Sequence, residues 1–159
     1  MPRVHRDRAR PILVNNWEAT YFNFTAEKIE KIAEAGAEPG IELFVLDDGW
    51  FGRRDSDNTL LGDWVEDRRK LPSGLRDLAE RITRRGLKFG LWFEPEMISP
   101  DSYLYRAHPD WCLHVAGRRR TEARWQLVLI FRVRRFGIIC TIPLPEFSRM
   151  FLSLTSSGI

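Results

Sequence analysis

The chain is poor in several features that would define a protein's class. Its 159 residues hold only two cysteines, Cys112 and Cys140, too few for a disulfide framework and without the paired spacing of a zinc site. No run approaches the roughly 18 apolar residues that a membrane helix needs. The start carries Arg3, Arg6, Arg8 and Arg10 but no apolar stretch of the kind a secretory signal requires. These absences predict an unexported, cytoplasmic protein with no membrane partner. The glycine-rich phosphate loop of nucleotide folds is also missing: Asn-Asn-Trp-Glu follows Val14, and Asp-Asp-Gly-Trp follows Leu46.

What is present is a globular composition, 43% hydrophobic, 12% aromatic and 30% charged, in a length suited to one domain. The formal net charge of +3 comes from the ends. Residues 1–10 hold four arginines against one acid, as do residues 129–159, and the sequence between them is mildly acidic. The densest basic run, Arg118 to Arg120, is short and has the character of a solvated loop, so nucleic acid is not an expected partner.

Three apolar runs have strand character: Ile12 to Val14, Ile41 to Leu46, and Phe89 to Phe93. Helical patterns separate them. One starts at Thr25, a good N-cap, runs through Ile29, Ile32 and Ala33 and stops near Gly40, with Pro39 positioned to shorten it. The other places Leu75, Leu78, Ala79 and Ile82 on one face, with Arg81, Arg84 and Arg85 towards its end and Gly86 after them. Strand, helix, strand, helix, strand predicts consecutive βα units with parallel strands, because a parallel neighbour needs a crossover. Without a phosphate loop, the expected fold is α/β, a partial (β/α)8 barrel of about three βα units, since a complete barrel needs more than 200 residues. Residues 1–10 read as a basic leader, 11–129 as the barrel portion, and 130–159 as an irregular tail without sustained periodicity.

Polar and aromatic residues crowd just after each strand: Asn15, Asn16, Trp17 and Glu18; then Asp47, Asp48, Trp50 and Phe51; then Trp92, Glu94 and Glu96. In βα architectures this edge is the ligand-binding face, and the long segment from Gly49 to Leu71, with Trp64, is expected to wall a pocket there. Carboxylates and amides suit vicinal hydroxyls, and an indole face suits the C–H patches of a pyranose, so these residue types point to a sugar. Two other readings stand beside this one. An Asp-Asp pair at a strand end also serves as a plain loop or capping feature, with Trp92 as core. Asp47, Asp48, Glu94 and Glu96 also offer oxygen ligands for magnesium or manganese, although His5, His108 and His114 lie away from the strand ends. Neither cysteine has a histidine partner in the expected site, so a thiol nucleophile is not expected.

Seven strings carry a resemblance: NNWEATYFNF (Asn15 to Phe24), LFVLDDGWFG (Leu43 to Gly52), GDW (Gly62 to Trp64), KLPSGL (Lys70 to Leu75), KFGLWFEPEMISPDS (Lys88 to Ser102), LYRAHPDW (Leu104 to Trp111) and QLVL (Gln126 to Leu129). In order and spacing they resemble the bacterial α-galactosidases of glycoside hydrolase family 36, from about Arg10 to Leu129. The resemblance implies a (β/α)8 catalytic barrel, cleavage of terminal α-galactosyl residues of melibiose and raffinose with retention, no cofactor and no metal, and homo-oligomeric full-length relatives. It matches Asp47 and Asp48 to the pair binding galactose hydroxyls, Trp92 to the tryptophan lining the sugar subsite, Trp17 to an aromatic wall, and Arg124 to an arginine reaching the same pocket. Glu94 and Glu96 take a supporting part.

The same resemblance defines what the 159 residues do not contain. Retention needs two carboxyl groups roughly 5 to 5.5 Å apart on either side of the anomeric carbon. In the family the nucleophile sits in a Lys-Trp-Asp-Met-Asn string, which does not occur here; the segment bearing the acid/base is likewise not found. Adjacent Asp47 and Asp48 cannot flank both faces of a ring, so no catalytic residue is assigned and the chain is expected to bind galactosides without cleaving them, or else to be a non-folding fragment. After Leu129 the family pattern stops. Codons for Ile130 to Thr141 can be chosen so that, one base out of phase and with a leading G, they read Asp-Phe-Ser-Arg-Pro-Glu-Val-Arg-Asp-Tyr-Leu-Tyr. The tail is therefore expected to be out of frame.

Overall fold

A computed structural model describes residues 9–130, together with the backbone of 133–134 and 137–138. The chain divides into two compact units, the first from residues up to 50 and 67–93, the second from 51–66 and 94 onward.

The first unit is built on a parallel sheet in the order β1-β2-β3, with β1 Leu13–Asn15, β2 Leu43–Leu46 and β3 Lys88–Leu91. A four-residue helix α1 (Trp17–Thr20) follows β1, and α2 (Ala26–Ala37) and α3 (Gly74–Thr83) provide the crossovers. The three expected strands and both expected helices are therefore found, displaced by at most two residues at most ends. Helix α2 begins where Thr25 Oγ1 accepts the Lys28 N–H at 3.3 Å, and it stops at Ala37, ahead of Pro39, whose ring and missing N–H cannot continue a helix. Helix α3 buries Leu75, Leu78, Ala79 and Ile82, each leucine or isoleucine contributing about 1.5–3 kcal/mol. Gly86, at φ +86°, takes the left-handed turn after it. Arg81 and Arg85 of this helix end reach Glu30 of α2 at 2.9 and 2.7 Å, joining the two crossover helices on their half-exposed side.

Register sets the faces of this sheet. Val14, Phe44 and Phe89 stand abreast, as do Asn15, Val45 and Gly90, so successive residues alternate between opposite faces. Phe44 and Leu46 are fully buried, whereas Leu13 on the other face is half exposed.

In the second unit, Phe51 bridges Glu66 and Gly52 N–H donates to Val65 O at 2.7 Å, closing residues 51–66 into a folded loop. Its interior is Arg54, fully buried, with its guanidinium donating to the carbonyls of Thr59 (2.6 Å) and Asp57 (3.3 Å). Trp64 is buried against Phe51, ring centroids 4.3 Å apart. The indole of Trp64 is thus committed to the loop's own core. Beyond it, β4 (Met97–Ile98) pairs antiparallel with β5 (Leu127–Val128), over a small core of Ile98, Cys112 and Leu127. Between these strands lie α4 (Tyr103–Ala107) and a 3-10 turn, Pro109–Trp111. In the tail, the backbone at β6 (Val133–Arg134) and β7 (Gly137–Ile138) makes a short antiparallel pair. The rest of the tail, and all but two residues of the basic leader, lie outside the described residues.

Candidate carbohydrate site at the strand ends

The C-terminal ends of β1, β2 and β3 carry the residues that sequence reading singled out in the first unit, and a continuous set of hydrogen bonds joins them. Asn15, the last residue of β1, donates from Nδ2 to Asp47 Oδ2 at 2.8 Å, while its Oδ1 accepts the Trp17 N–H at 3.2 Å. Asn16 is fully buried. Its Oδ1 accepts the Asp47 N–H at 2.8 Å and its Nδ2 donates to Thr20 Oγ1 at 2.7 Å. The Asp48 N–H closes the set on Asp47 Oδ1 at 2.7 Å. Thus each oxygen of Asp47 accepts one internal hydrogen bond, and each retains acceptor capacity for a donor from outside.

Burial pushes the Asp47 carboxyl above its ordinary value. The Asp48 N–H offsets part of this by favouring the ionised form, and the Asp48 charge adds to the rise. Asp48 itself is buried, only 4% exposed, so the adjacent acids occupy different environments. Lys70, also buried, donates from Nζ to the carbonyl of Gly49 at 2.9 Å and lies 5.1 Å from the Phe24 ring centroid. A cation thereby holds the backbone immediately after the acid pair.

Trp92 follows β3. Its N–H continues the sheet by donating to Leu46 O at 2.8 Å, and its carbonyl accepts the Trp50 indole N–H at 3.0 Å. Trp92 itself is part-exposed while Trp50 is buried, so Trp50 braces the position that Trp92 presents. Trp17, in α1, is also part-exposed and makes edge-on contacts with Tyr21 and Phe22, centroids 5.1 and 5.2 Å away.

Four of the five expected sugar residues, Asp47, Asp48, Trp92 and Trp17, therefore belong to one set of strand ends. Arg124 belongs to the second unit, where its guanidinium lies 4.0 Å from Asp57 Oδ2 with both side chains exposed. Glu94 and Glu96 also belong to that unit; their carbonyls accept the N–H groups of Met97 and Leu129. Among the described residues no three His, Cys, Asp or Glu side chains are grouped to hold a metal ion. Burial raises the Cys112 thiol above its ordinary value, disfavouring a thiolate. Sequence reading placed Asn15 and Asn16 at this edge without a role; their function as the clamps on Asp47 depends on which strand lies beside which.

Comparison with known proteins places the chain in a class. The family model described as Melibiase matches residues 1–139, and the chain belongs to that family. Over 124 residues it is 67% identical to the α-galactosidase AgaA of Geobacillus stearothermophilus, an alignment covering 78% of this chain and 17% of that protein. It is 44% identical to an α-galactosidase of Escherichia coli over 127 residues, covering 80% of this chain and 18% of the other. Among solved structures, a variant of the Geobacillus stearothermophilus GH36 α-galactosidase AgaA in complex with raffinose superposes with a TM-score of 0.83 at 57% identity, covering 94% of this chain and 20% of that one. The same enzyme in complex with 1-deoxygalactonojirimycin gives 0.76 at 66% identity, covering 79% and 18%. The chain thus spans about a fifth or less of the length of these relatives.

Proposed function

We propose that these residues form the first three βα units of an α-galactosidase (β/α)8 barrel and hold part of its galactose-binding subsite. The observation that carries this reading is the clamp around Asp47: an acid with both oxygens partly engaged, a buried neighbour at Asp48, and two part-exposed indoles, Trp92 and Trp17, at the same strand ends. Asp47 and Asp48 accept hydrogen bonds from vicinal hydroxyls of a terminal α-galactosyl ring, and an indole face covers its C–H patch. The substrates of the whole enzyme are α-galactosides such as melibiose and raffinose, hydrolysed in the cytoplasm.

The 159 residues bind without cleaving. Retaining hydrolysis uses two carboxyl groups on opposite sides of the anomeric centre, and adjacent residues at one strand end do not occupy such positions. Calorimetric titration with galactose should give saturable heat that is lost in Asp47→Ala and Asp48→Ala, while a chromogenic α-galactoside is not turned over. Turnover by the purified chain sinks the non-catalytic assignment, and flat titrations sink the galactose site.

Within this proposal, residues 11–129 are the barrel portion and residues from 130 onward are read out of frame. Residues 130–139 fall inside the span matched by the family model. The nucleotide sequence across codon 129 decides the point: a neighbouring frame that spells Ser-Arg-Pro-Glu-Val-Arg supports the shift, and its absence rejects it.

A further inference from the structure

The segment that leads into α3 reaches back to the turn that carries the acid pair. Gly49, at φ +96°, reverses the chain directly after Asp48, and residues 67–70 take both its carbonyl and that of Trp50. Asp67 N–H donates to Trp50 O at 2.8 Å, and Lys70 Nζ donates to Gly49 O at 2.9 Å. The segment is itself anchored. Asp67 is buried and its carboxylate accepts the Arg69 N–H and guanidinium, while its carbonyl accepts the N–H groups of Lys70 and Leu71 at 3.1 and 2.9 Å. The Lys70 carbonyl accepts the Ala26 N–H at the start of α2 at 3.0 Å, and its ammonium lies 5.1 Å from the Phe24 ring centroid.

The carbonyl that Lys70 holds is joined on both sides to residues of the galactose reading. Asp48 precedes Gly49 by one peptide. Trp50 follows it, and the Trp50 indole N–H donates to Trp92 O at 3.0 Å. The gripped position therefore lies between one acid and the residue that fixes an indole, and all of these residues belong to the first unit. An ammonium at 8% exposure has given up most of its water, a cost that an apolar side chain of similar length would not carry. The fold places a cation there, where its donor sets the direction of a carbonyl.

We infer that Lys70 is a positioning residue for galactoside binding: its ammonium fixes the Gly49 carbonyl and thereby orients Asp48 and, through Trp50, Trp92. This rests on the galactose-binding reading above and adds to it a buried side chain that itself touches no sugar. Because Lys70 acts on where two binding groups stand, removing its donor lowers affinity by more than a loss of stability alone does.

The test titrates galactose by calorimetry into the 159-residue chain and its variants, with urea unfolding of each in parallel. Lys70→Met, which keeps the length and loses the donor, should weaken galactose at least about ten-fold, the scale of one hydrogen bond to a charged group. Lys70→Arg, which keeps a charged donor, should recover most of that loss. Ile82→Val, on the buried face of α3, should lower the urea midpoint and leave affinity within about two-fold of the parent. If Lys70→Met does not fold, Lys70→Gln, shorter and uncharged, takes its place with the same expectation; if neither folds, Lys70 serves the fold and the inference fails. If the parent binds galactose and the Met or Gln variant binds it within about two-fold, if Lys70→Arg binds no better than they do, or if Ile82→Val weakens binding as much, the positioning role is refuted while the galactose site stands. If the parent binds no galactose, both readings fall together.

Discussion

Replacing Asn16 by alanine tests whether the strand-end clamp is what orders the acid pair. Asn16 is fully buried and makes two side-chain hydrogen bonds, 2.7 Å to Thr20 Oγ1 and 2.8 Å from the Asp47 N–H. Thr20 keeps an outlet, because its hydroxyl lies 3.1 Å from the carbonyls of both Asn16 and Tyr21; the Asp47 N–H is left without its partner. A buried hydrogen bond contributes about 0.5–1.5 kcal/mol net, and an orphaned buried donor costs about 1–3 kcal/mol. The expected loss is therefore about 1.5–4.5 kcal/mol, visible as a lower urea midpoint with an unchanged slope. Asn15→Ala is the internal control. Asn15 is exposed, so its loss should cost less than about 0.5 kcal/mol, yet removing its bond to the ionised carboxylate should raise the Asp47 pKa further, as read by NMR titration of the carboxyl carbon. If Asn16→Ala unfolds within about 0.5 kcal/mol of the parent, or Asn15→Ala costs as much, the division of labour between the two asparagines is wrong.

Two further outcomes follow from the same geometry. Because the folded-state pKa of Asp47 is raised, ionising it opposes folding. That penalty is complete above the folded pKa and is relieved as pH falls through it towards the ordinary value of about 3.9. Relative to Asp47→Asn, the parent should therefore gain stability over that interval, while its galactose affinity falls, since a sugar hydroxyl donates to the ionised form; parallel melts and titrations across the interval check both, and an affinity that is flat there removes Asp47 from the site. Gly62 has φ +111°, and a Cβ on it would stand 2.9 Å from Cγ1 of the buried Ile98. Gly62→Ala should cost about 1–3 kcal/mol through overpacking alone, with backbone strain in addition, and a melting temperature equal to the parent's shows that the second unit adjusts freely.

The strands and crossover helices were legible because they rest on local signals: short apolar runs, a threonine cap, and the Leu75-Leu78-Ala79-Ile82 face. What escaped depends on partners distant in sequence. Helix α1 is four residues long and has no side-chain cap bond at its start; Asn16 instead spends its amide on Thr20 and its carbonyl oxygen on Asp47, a contact 31 residues away. In the charged segment after Gly49, no periodicity announces that Arg54 is its core, held by carbonyls of its own loop. The hairpin turn closed by the Ala123–Gln126 hydrogen bonds gave no signal because Arg-Trp is not a pair that such a turn selects. At the site, the acids and indoles were visible by residue type, whereas the asparagines gained roles only once β1 was known to lie beside β2.

That adjacency makes the chemistry inseparable from the register. Asn15 pairs with Val45, and Asp47 lies two residues beyond Val45, so the two side chains belong to the same face of the sheet and Nδ2 meets Oδ2. Asn16, on the alternate face, meets the Asp47 backbone instead. One asparagine therefore orients the carboxylate and the next fixes the peptide that carries it. A slip of β1 by a single residue would exchange their faces, moving Asn15 off the carboxylate and bringing its neighbour's amide out of the buried position it shares with Thr20. The apolar pattern opposes such a slip, because it would also exchange the faces of Leu13 and Val14, one half exposed and the other 3.6 Å from the point where a Cβ on Gly36 of α2 would stand. The packing of three short strands on two helices thus sets the positions of the Asp47 carboxylate oxygens.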